Sequence, residues 1–171
     1  LADNAGANTF NAGNYIIVNN NGQFTGAISS GATTMNVTSY IRLNNSGQFT
    51  FNTASAASTL AVSNYILLNT DSQFIFNNAS TFNTLTTTSY LRINNNAKFI
   101  CSNGNGTSDL IIGTDLLLYN AGSLILENTS SAAGTTNIQV LRNLASSSTS
   151  VKAIDFGVGD VVGNTISVAG N

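Results

Sequence analysis

The chain has 171 residues, enough for one domain with a sizeable core. Charged residues make up only 7% and the net charge is −2, so its five basic side chains cannot form a phosphate-binding patch and nucleic acid is not an expected partner. The apolar share is 42% and regularly spaced, which argues against disorder, and no apolar run approaches the ~18 residues of a membrane span.

In chain order, the first alternating segment centres on Thr9-Phe10, followed by Tyr15-Ile16-Ile17-Val18 and a segment around Phe24. The triplet then returns. Thr34-Met35 opens a second round, which Tyr40-Ile41-Arg42-Leu43-Asn44 and Gln48-Phe49-Thr50-Phe51-Asn52 complete. Thr59-Leu60-Ala61-Val62-Ser63 begins a third, continued by Tyr65 and Phe74; Leu85, Tyr90 and Phe99 mark a fourth, and Leu110, Leu116 and Leu124 a fifth. Each segment alternates polar and apolar residues, as a strand with one buried face does. Asn, Ser, Gly and Ala between them suit tight turns. No stretch sustains a 3.6-residue period, so helix is not expected.

Tyr15, Tyr40, Tyr65 and Tyr90 fall 25 residues apart, as do Phe24, Phe49, Phe74 and Phe99, and Phe10, Met35, Leu60, Leu85 and Leu110. Three independent apolar columns at one period predict an all-β, single-domain parallel β-solenoid over residues 1–171, with three short strands per 25-residue coil. About seven coils are expected: regular ones over 9–126 and degenerate ones over 127–171. Successive coils would lie ~4.8 Å apart, each residue stacked on its counterpart 25 positions away. Side one buries the Ile16 and Val18 columns, side two the columns of Phe24 and of Phe51/Phe76/Cys101/Leu126, and side three the columns of Phe10 and of Val37/Val62/Thr87/Ile112. Cys101 is the single cysteine and is read as a small core residue, which excludes an internal disulfide framework.

The outward positions form columns of their own. Tyr15, Tyr40, Tyr65 and Tyr90 predict a stacked aromatic ladder, Thr9, Thr34, Thr59 and Thr84 a hydroxyl ladder, and Asn44, Asn69 and Asn94 an amide ladder. Arg42, Arg92 and Arg142 share one column in every second coil, which spaces like charges ~9.6 Å apart and roughly halves their repulsion. Ile17, Leu67 and Leu117 take the alternate places, so this face is partly apolar and suggests a contact surface.

Beyond residue 127 the 25-residue step weakens. Continued unchanged, it puts Leu141 in the Ile16 column, Arg142 in the Arg42 column, Val151 in the Phe51 column and Thr165-Ile166-Ser167-Val168 in line with Tyr15 to Val18. Ala145 to Ser150 reads as a low-complexity loop. Asp155 to Asp160 contains two acids and two glycines, for which a turn is the plainer account and a calcium site the sharper one. No polar cap is evident at either end, although solenoids ordinarily protect their open edges. The step puts Leu1 in the Gly26 column and Asn171 in that of Asn21, so a second copy would resume the spiral after a gap of four columns. The expected assembly interface comprises Leu1, Phe10, Ile154, Phe156, Ile166 and Val168.

These features point to a structural protein whose subunits stack head to tail into an extracellular filament. The partner is a second copy of the chain, with neighbouring filaments or surface glycans as further contacts. No cofactor or metal is expected, and no enzymatic activity. The acids Asp3, Asp71, Asp109, Asp115, Glu127, Asp155 and Asp160 scatter over different coils, and His is absent. A start at Leu1 rather than Met, with no basic segment ahead of an apolar stretch, leads us to expect a processed, secreted product. Asn36, Asn44, Asn78, Asn105 and Asn128 match the glycosylation triplet at about the chance frequency for such a composition. The alternative is a surface-binding module, such as an ice-binding or adhesin solenoid, using Thr84-Leu85-Thr86-Thr87-Thr88 and the threonine column, although Asn36, Ala61 and Asp109 interrupt those arrays.

Over residues 9–126 the Gln23, Gln48 and Gln73 positions and the Asn columns give an architecture that resembles bacterial extracellular β-solenoid proteins, including functional-amyloid fibre subunits of the curli type. The repeat spacing differs from that of curli, and Tyr-Ile-x-Leu-Asn-Asn is not a motif of that family. The resemblance implies secretion and self-assembly.

Overall fold

The computed structural model describes residues 6–28, 31–53, 56–79, 82–128, 134–150, 153–156 and 163–170. Every regular element among them is a strand. The first coil holds β1 (Asn8–Ala12), β2 (Ile16–Val18) and β3 (Gln23–Ile28); the second β4 (Thr33–Val37), β5 (Ile41–Leu43) and β6 (Gln48–Thr53). The third has β7 (Ser58–Val62), β8 (Ile66–Leu68) and β9 (Gln73–Asn78), and the fourth β10 (Phe82–Thr87), β11 (Leu91–Ile93) and β12 (Lys98–Asn103). The fifth contains β13 (Thr107–Ile112), β14 (Asp115–Tyr119) and β15 (Ser123–Asn128), the sixth β16 (Thr135–Val140), β17 (Asn143–Ser147) and β18 (Ile154–Asp155). β19 (Thr165–Val168) begins a seventh, so six three-strand coils and one further strand are described.

All pairings are parallel and each strand stacks on its counterpart. Sheet one runs β2-β5-β8-β11-β14-β17, sheet two β3-β6-β9-β12-β15-β18, and sheet three β1-β4-β7-β10-β13-β16-β19. Through the fifth coil the register is the 25-residue step, as in Ile16↔Ile41, Phe24↔Phe49 and Phe10↔Met35. The predicted columns form the core: Ile41, Leu43, Phe49, Phe51, Met35, Leu60, Phe74, Phe76 and Cys101 are fully buried. Alternation drives this arrangement, because consecutive strand residues face opposite sides and only one set reaches the interior.

The step changes after β15. Three residues separate β12 from β13 but six separate β15 from β16, so Thr107 pairs with Thr135, a step of 28. Several sequence expectations are corrected as a result. Leu144, not Leu141, stacks on Leu116, and Leu141 is 44% exposed. Ala145 stacks on Leu117, so Arg142 leaves the Arg42 and Arg92 column. Asn143 to Ser147 form β17, although Ala145 to Ser150 read as a loop. β19 belongs to sheet three: Ile166 stacks on Ile138 in the Phe10 column, not in the Ile16 column. Ile154 pairs with Leu124, a step of 30, and Phe156, one residue past β18, is the next in line for the Leu126 column that the unbroken step gave to Val151. Leu1, Val151, residues 157–160 and Asn171 lie outside the described residues, and the four-column gap computed from an unbroken step no longer holds.

The graded burial of the Phe24 column yields a prediction. Phe74 is fully buried between Phe49 and Phe99, with centroids 4.7 Å from each, whereas Phe24 is only half-buried. Phe74→Ala should cost about 3–5 kcal/mol in urea denaturation, and Phe24→Ala less than half of that. Equal losses would contradict the stacked core.

Candidate functional site

The two rims of the solenoid are its most distinctive feature. β1, β2 and β3 form one rim, and β17, β18 and β19 the other; among the described residues each of these strands ends its sheet and has an unpaired edge. At the N-terminal rim Ile16 and Val18 retain 9% and 8% exposure, while Ile41 and Leu43 one coil on have none. Phe10 is half-buried and tilts over Phe24, with centroids 6.2 Å apart and planes at 57°, whereas Phe24 lies parallel to Phe49 at 5.0 Å and 8°. Phe24 has a ring beneath it to stack on, whereas Phe10 lies on Met35 and leans across Phe24 instead. The Phe51 column ends at Gly26, where a Cβ would meet Met35 Cε at 3.2 Å and Phe51 Cδ2 at 3.4 Å.

At the C-terminal rim Leu144, Ile154 and Ile166 are half-buried, while Phe156 and Val168 are each 42% exposed. Thus Phe10 lies on one rim, and Ile154, Phe156, Ile166 and Val168 on the other. Among the described residues no helix crosses either rim.

The outward ladders follow the same stacking. The tyrosine rings of Tyr15, Tyr40, Tyr65 and Tyr90 lie 5.2, 4.8 and 4.9 Å apart with planes within 11°. Burial between its neighbours raises the pKa of Tyr65, with Tyr90 and Tyr40 adding to the effect and Arg42 opposing it. Asp115 takes the next place in this column and ends the stack. Arg142, displaced from its expected column, grips Asp115: its Nε donates to Oδ1 at 2.9 Å and its Nη2 to Oδ2. Asn143 donates to the same carboxylate at 2.8 Å. The Arg142 hydrogen bond holds the Asp115 carboxyl below its ordinary range, against the opposing effect of burial.

The amide ladder is one member longer than the sequence reading gave. Asn44 donates to Asn19 at 2.8 Å, Asn69 to Asn44 at 3.1 Å and Asn94 to Asn69 at 2.8 Å. The corner beside it places two successive residues at positive φ in each of the first five coils, as at Asn20 and Asn21 (53° and 61°) and Asn95 and Asn96 (52° and 64°), a conformation Asn tolerates better than most side chains. Tyr119 takes the next ladder position and supplies no amide. Arg92 compensates: its Nε donates to Asn94 Oδ1 at 3.0 Å and its guanidinium lies 5.0 Å from the Tyr119 ring centroid. Arg42 likewise donates to Asn44 Oδ1 at 3.2 Å.

Sequence reasoning missed a buried polar spine at the corner between sheets two and three. Thr53, Asn78 and Asn103, on successive strands of sheet two, face Thr33, Ser58, Asn83, Ser108 and Thr136 on successive strands of sheet three, all nearly solvent-free. Ser58 N donates to Asn83 Oδ1 at 3.2 Å, Asn83 Nδ2 to Thr53 Oγ1, Ser108 Oγ to Asn103 Oδ1 at 2.7 Å and Asn103 Nδ2 to Thr135 O at 2.9 Å. The recurrence of Asn78 and Asn103 at the 25-residue step was the available signal, but both read as turn residues.

Among the described residues no three His, Cys, Asp or Glu side chains gather in one place. Asp71 accepts from Asn96 and Asp109 from Asn137. The Cys101 thiol is enclosed in the core, and burial pushes its pKa far up. No protein-family model, curated protein or solved structure matches the chain.

The lowered pKa of Asp115 fixes the sign of a pH effect. Its contribution to stability is present well above the ordinary value of 3.8 and is lost as the pH falls through the lower folded-state value. Arg142→Gln should therefore reduce the melting temperature at neutral pH and flatten its fall toward about pH 3. An unchanged pH profile would remove the pair from the account of stability.

Proposed function

We propose that this chain is a structural subunit of an extracellular filament, secreted to the cell surface and without enzymatic activity, that grows as copies stack head to tail through the solenoid rims. The observation that carries this reading is the pair of open rims. Interior columns that are sealed at mid-solenoid end in half-buried Phe10 and Phe24 on one side and in exposed Phe156 and Val168 on the other. Each rim also offers unpaired strand edges. A second copy would satisfy both at once, extending every sheet by backbone hydrogen bonds and burying the apolar ends. The contact is heterologous and does not close, so growth is open-ended. Secretion rests on the composition and on the resemblance to extracellular solenoids.

The alternative reading, a surface-binding module, draws on sheet three, where Thr9, Thr34, Thr59 and Thr84 stack in direct register. Asp109 follows Thr84 in that column and Ala61 interrupts the adjacent one, which leaves the array discontinuous. Measured thermal hysteresis would favour this reading.

Negative-stain micrographs of purified protein should show unbranched fibres. The double variant Phe156→Lys, Val168→Lys places charges on residues that are each 42% exposed, where substitutions change stability by about 0.5 kcal/mol or less. It should keep the wild-type circular dichroism yet sediment as a monomer. Wild-type protein that stays monomeric at high concentration would reject the filament.

A further inference from the structure

The three faces of the solenoid change width along its axis. Sheet one has three residues in each of β2, β5, β8 and β11 but five in β14 and β17. Sheet two keeps six residues from β3 to β15 and falls to two in β18. Sheet three has five in β1 and four in β19. At the N-terminal rim the strands on sheets three, one and two therefore measure five, three and six residues. At the C-terminal rim those on sheets one, two and three measure five, two and four. The shortest face has moved from sheet one to sheet two, one face onward in chain order. The C-terminal rim is also stepped, because β19 lies on β16, a layer beyond β17 and β18.

We propose that each successive copy in the stack is turned by one face about the solenoid axis, so that its β1 lies on β17, its β2 on β18 and its β3 on β19. This rests on the head-to-tail reading and specifies its geometry. In the turned setting five residues meet five, three meet two and six meet four. The incoming β1 and β2 complete the layer that β19 begins, and the spiral continues without a break. Apolar column ends then meet: Phe10 faces Leu144, Ile16 and Val18 face Ile154 and Phe156, and Phe24 faces Ile166. Gly26, without a side chain, faces the exposed Val168. Unturned stacking instead sets only β1 on β19, five residues on four, and leaves a slot one layer deep, about 4.8 Å, that keeps β2 and β3 off β17 and β18.

Paired cysteines distinguish the two settings in a Cys101→Ala background, which removes the one native thiol. Asn11 points outward from β1, Ala145 outward from β17 and Ser167 outward from β19, in the columns of Asn36, Leu117 and Gln139 respectively. Within one copy Asn11 lies five layers from Ala145 and six from Ser167, roughly 24 and 29 Å, too far for a disulfide. Between stacked copies, vertically adjacent Cα atoms lie about 4.8 Å apart, within disulfide reach. On oxidation, N11C/A145C should give a ladder of multimers on a non-reducing gel, and N11C/S167C should run as a monomer. A ladder from N11C/S167C alone would overturn the one-face turn and leave head-to-tail stacking intact. Fibres in which neither pair links would overturn the turn as well. Absence of both fibres and ladders would reject the stacking itself.

Helical reconstruction of unsubstituted fibres provides a readout that requires no variant to fold. The nineteen described strands on three faces correspond to a rise of about 30 Å per copy in the turned setting, against about 34 Å for seven whole layers unturned. A rise of seven layers would overturn the proposal.

Discussion

In the regular coils each strand residue rests on its counterpart 25 positions away, and that vertical contact governs which residues each position accepts. A column works only if its members are compatible with themselves at the strand spacing. Aromatic rings meet this condition by parallel stacking, as in the Phe24 and Tyr15 columns. Asparagine meets it because one amide both donates and accepts, so Asn19, Asn44, Asn69 and Asn94 bond in series. Charge does not. Two like charges ~4.8 Å apart repel by roughly 1 kcal/mol even in bulk water and by more beside a protein surface. The 7% charged composition follows from this, and so does the placement of Arg42 and Arg92 in alternate coils, separated by Leu67.

Where a column loses its repeating residue, a neighbouring side chain supplies the missing contact. Tyr119 interrupts the amide ladder, and Arg92 both donates to the last amide and covers the ring. Asp115 interrupts the tyrosine stack, and Arg142 with Asn143 neutralises it from the next coil. Both interruptions fall in the fifth coil, next to the longer corner that precedes β16, and their partners reach them from the fourth and sixth coils. The repeat therefore loosens over two coils, first in its outward columns and then in its step.

The regular coils were legible because their information lies in the columns. Phe24, Phe49, Phe74 and Phe99 recur at one step, and a single apolar face per strand leaves one consistent register. The C-terminal coils were not legible, because the register there is set by corner lengths and corners carry no apolar signal. Three extra residues ahead of β16 moved Leu144 into the place that Leu141 occupies under an unbroken step. The two leucines are chemically identical, so only the corner distinguishes them. The rim residues were recognisable as apolar, but their layers were not. Ile166 closes sheet three instead of sheet one for the same reason. The buried spine escaped notice because Asn78 and Asn103 belong to a residue type that usually marks turns, and enclosed amides are acceptable only when fully bonded.

A solenoid ends either in a cover or in another coil, and its edge strands carry the difference. Proteins that keep edges apart use proline, inward-pointing charge or bulges. Proline is absent from the whole chain, and β1, β2, β3, β17 and β19 contain no charged residue. Asp155 in β18 pairs outward with Ile125. Among the described residues the edges carry two such features, both in β18: its length of two residues and the charge of Asp155. Bringing two copies together costs an estimated 4–15 kcal/mol in lost freedom. At ~25 cal/mol per Å² that asks for roughly 160–600 Å² of apolar surface, before any edge hydrogen bond is counted. Of the twelve interior-column ends on the two rims, ten carry an apolar side chain, since Gly26 has none and Ser146 is polar, so an average of about 16 Å² each reaches the lower figure. The same vertical matching that orders the interior is thus of the right size to act between copies, with the junction as one more layer.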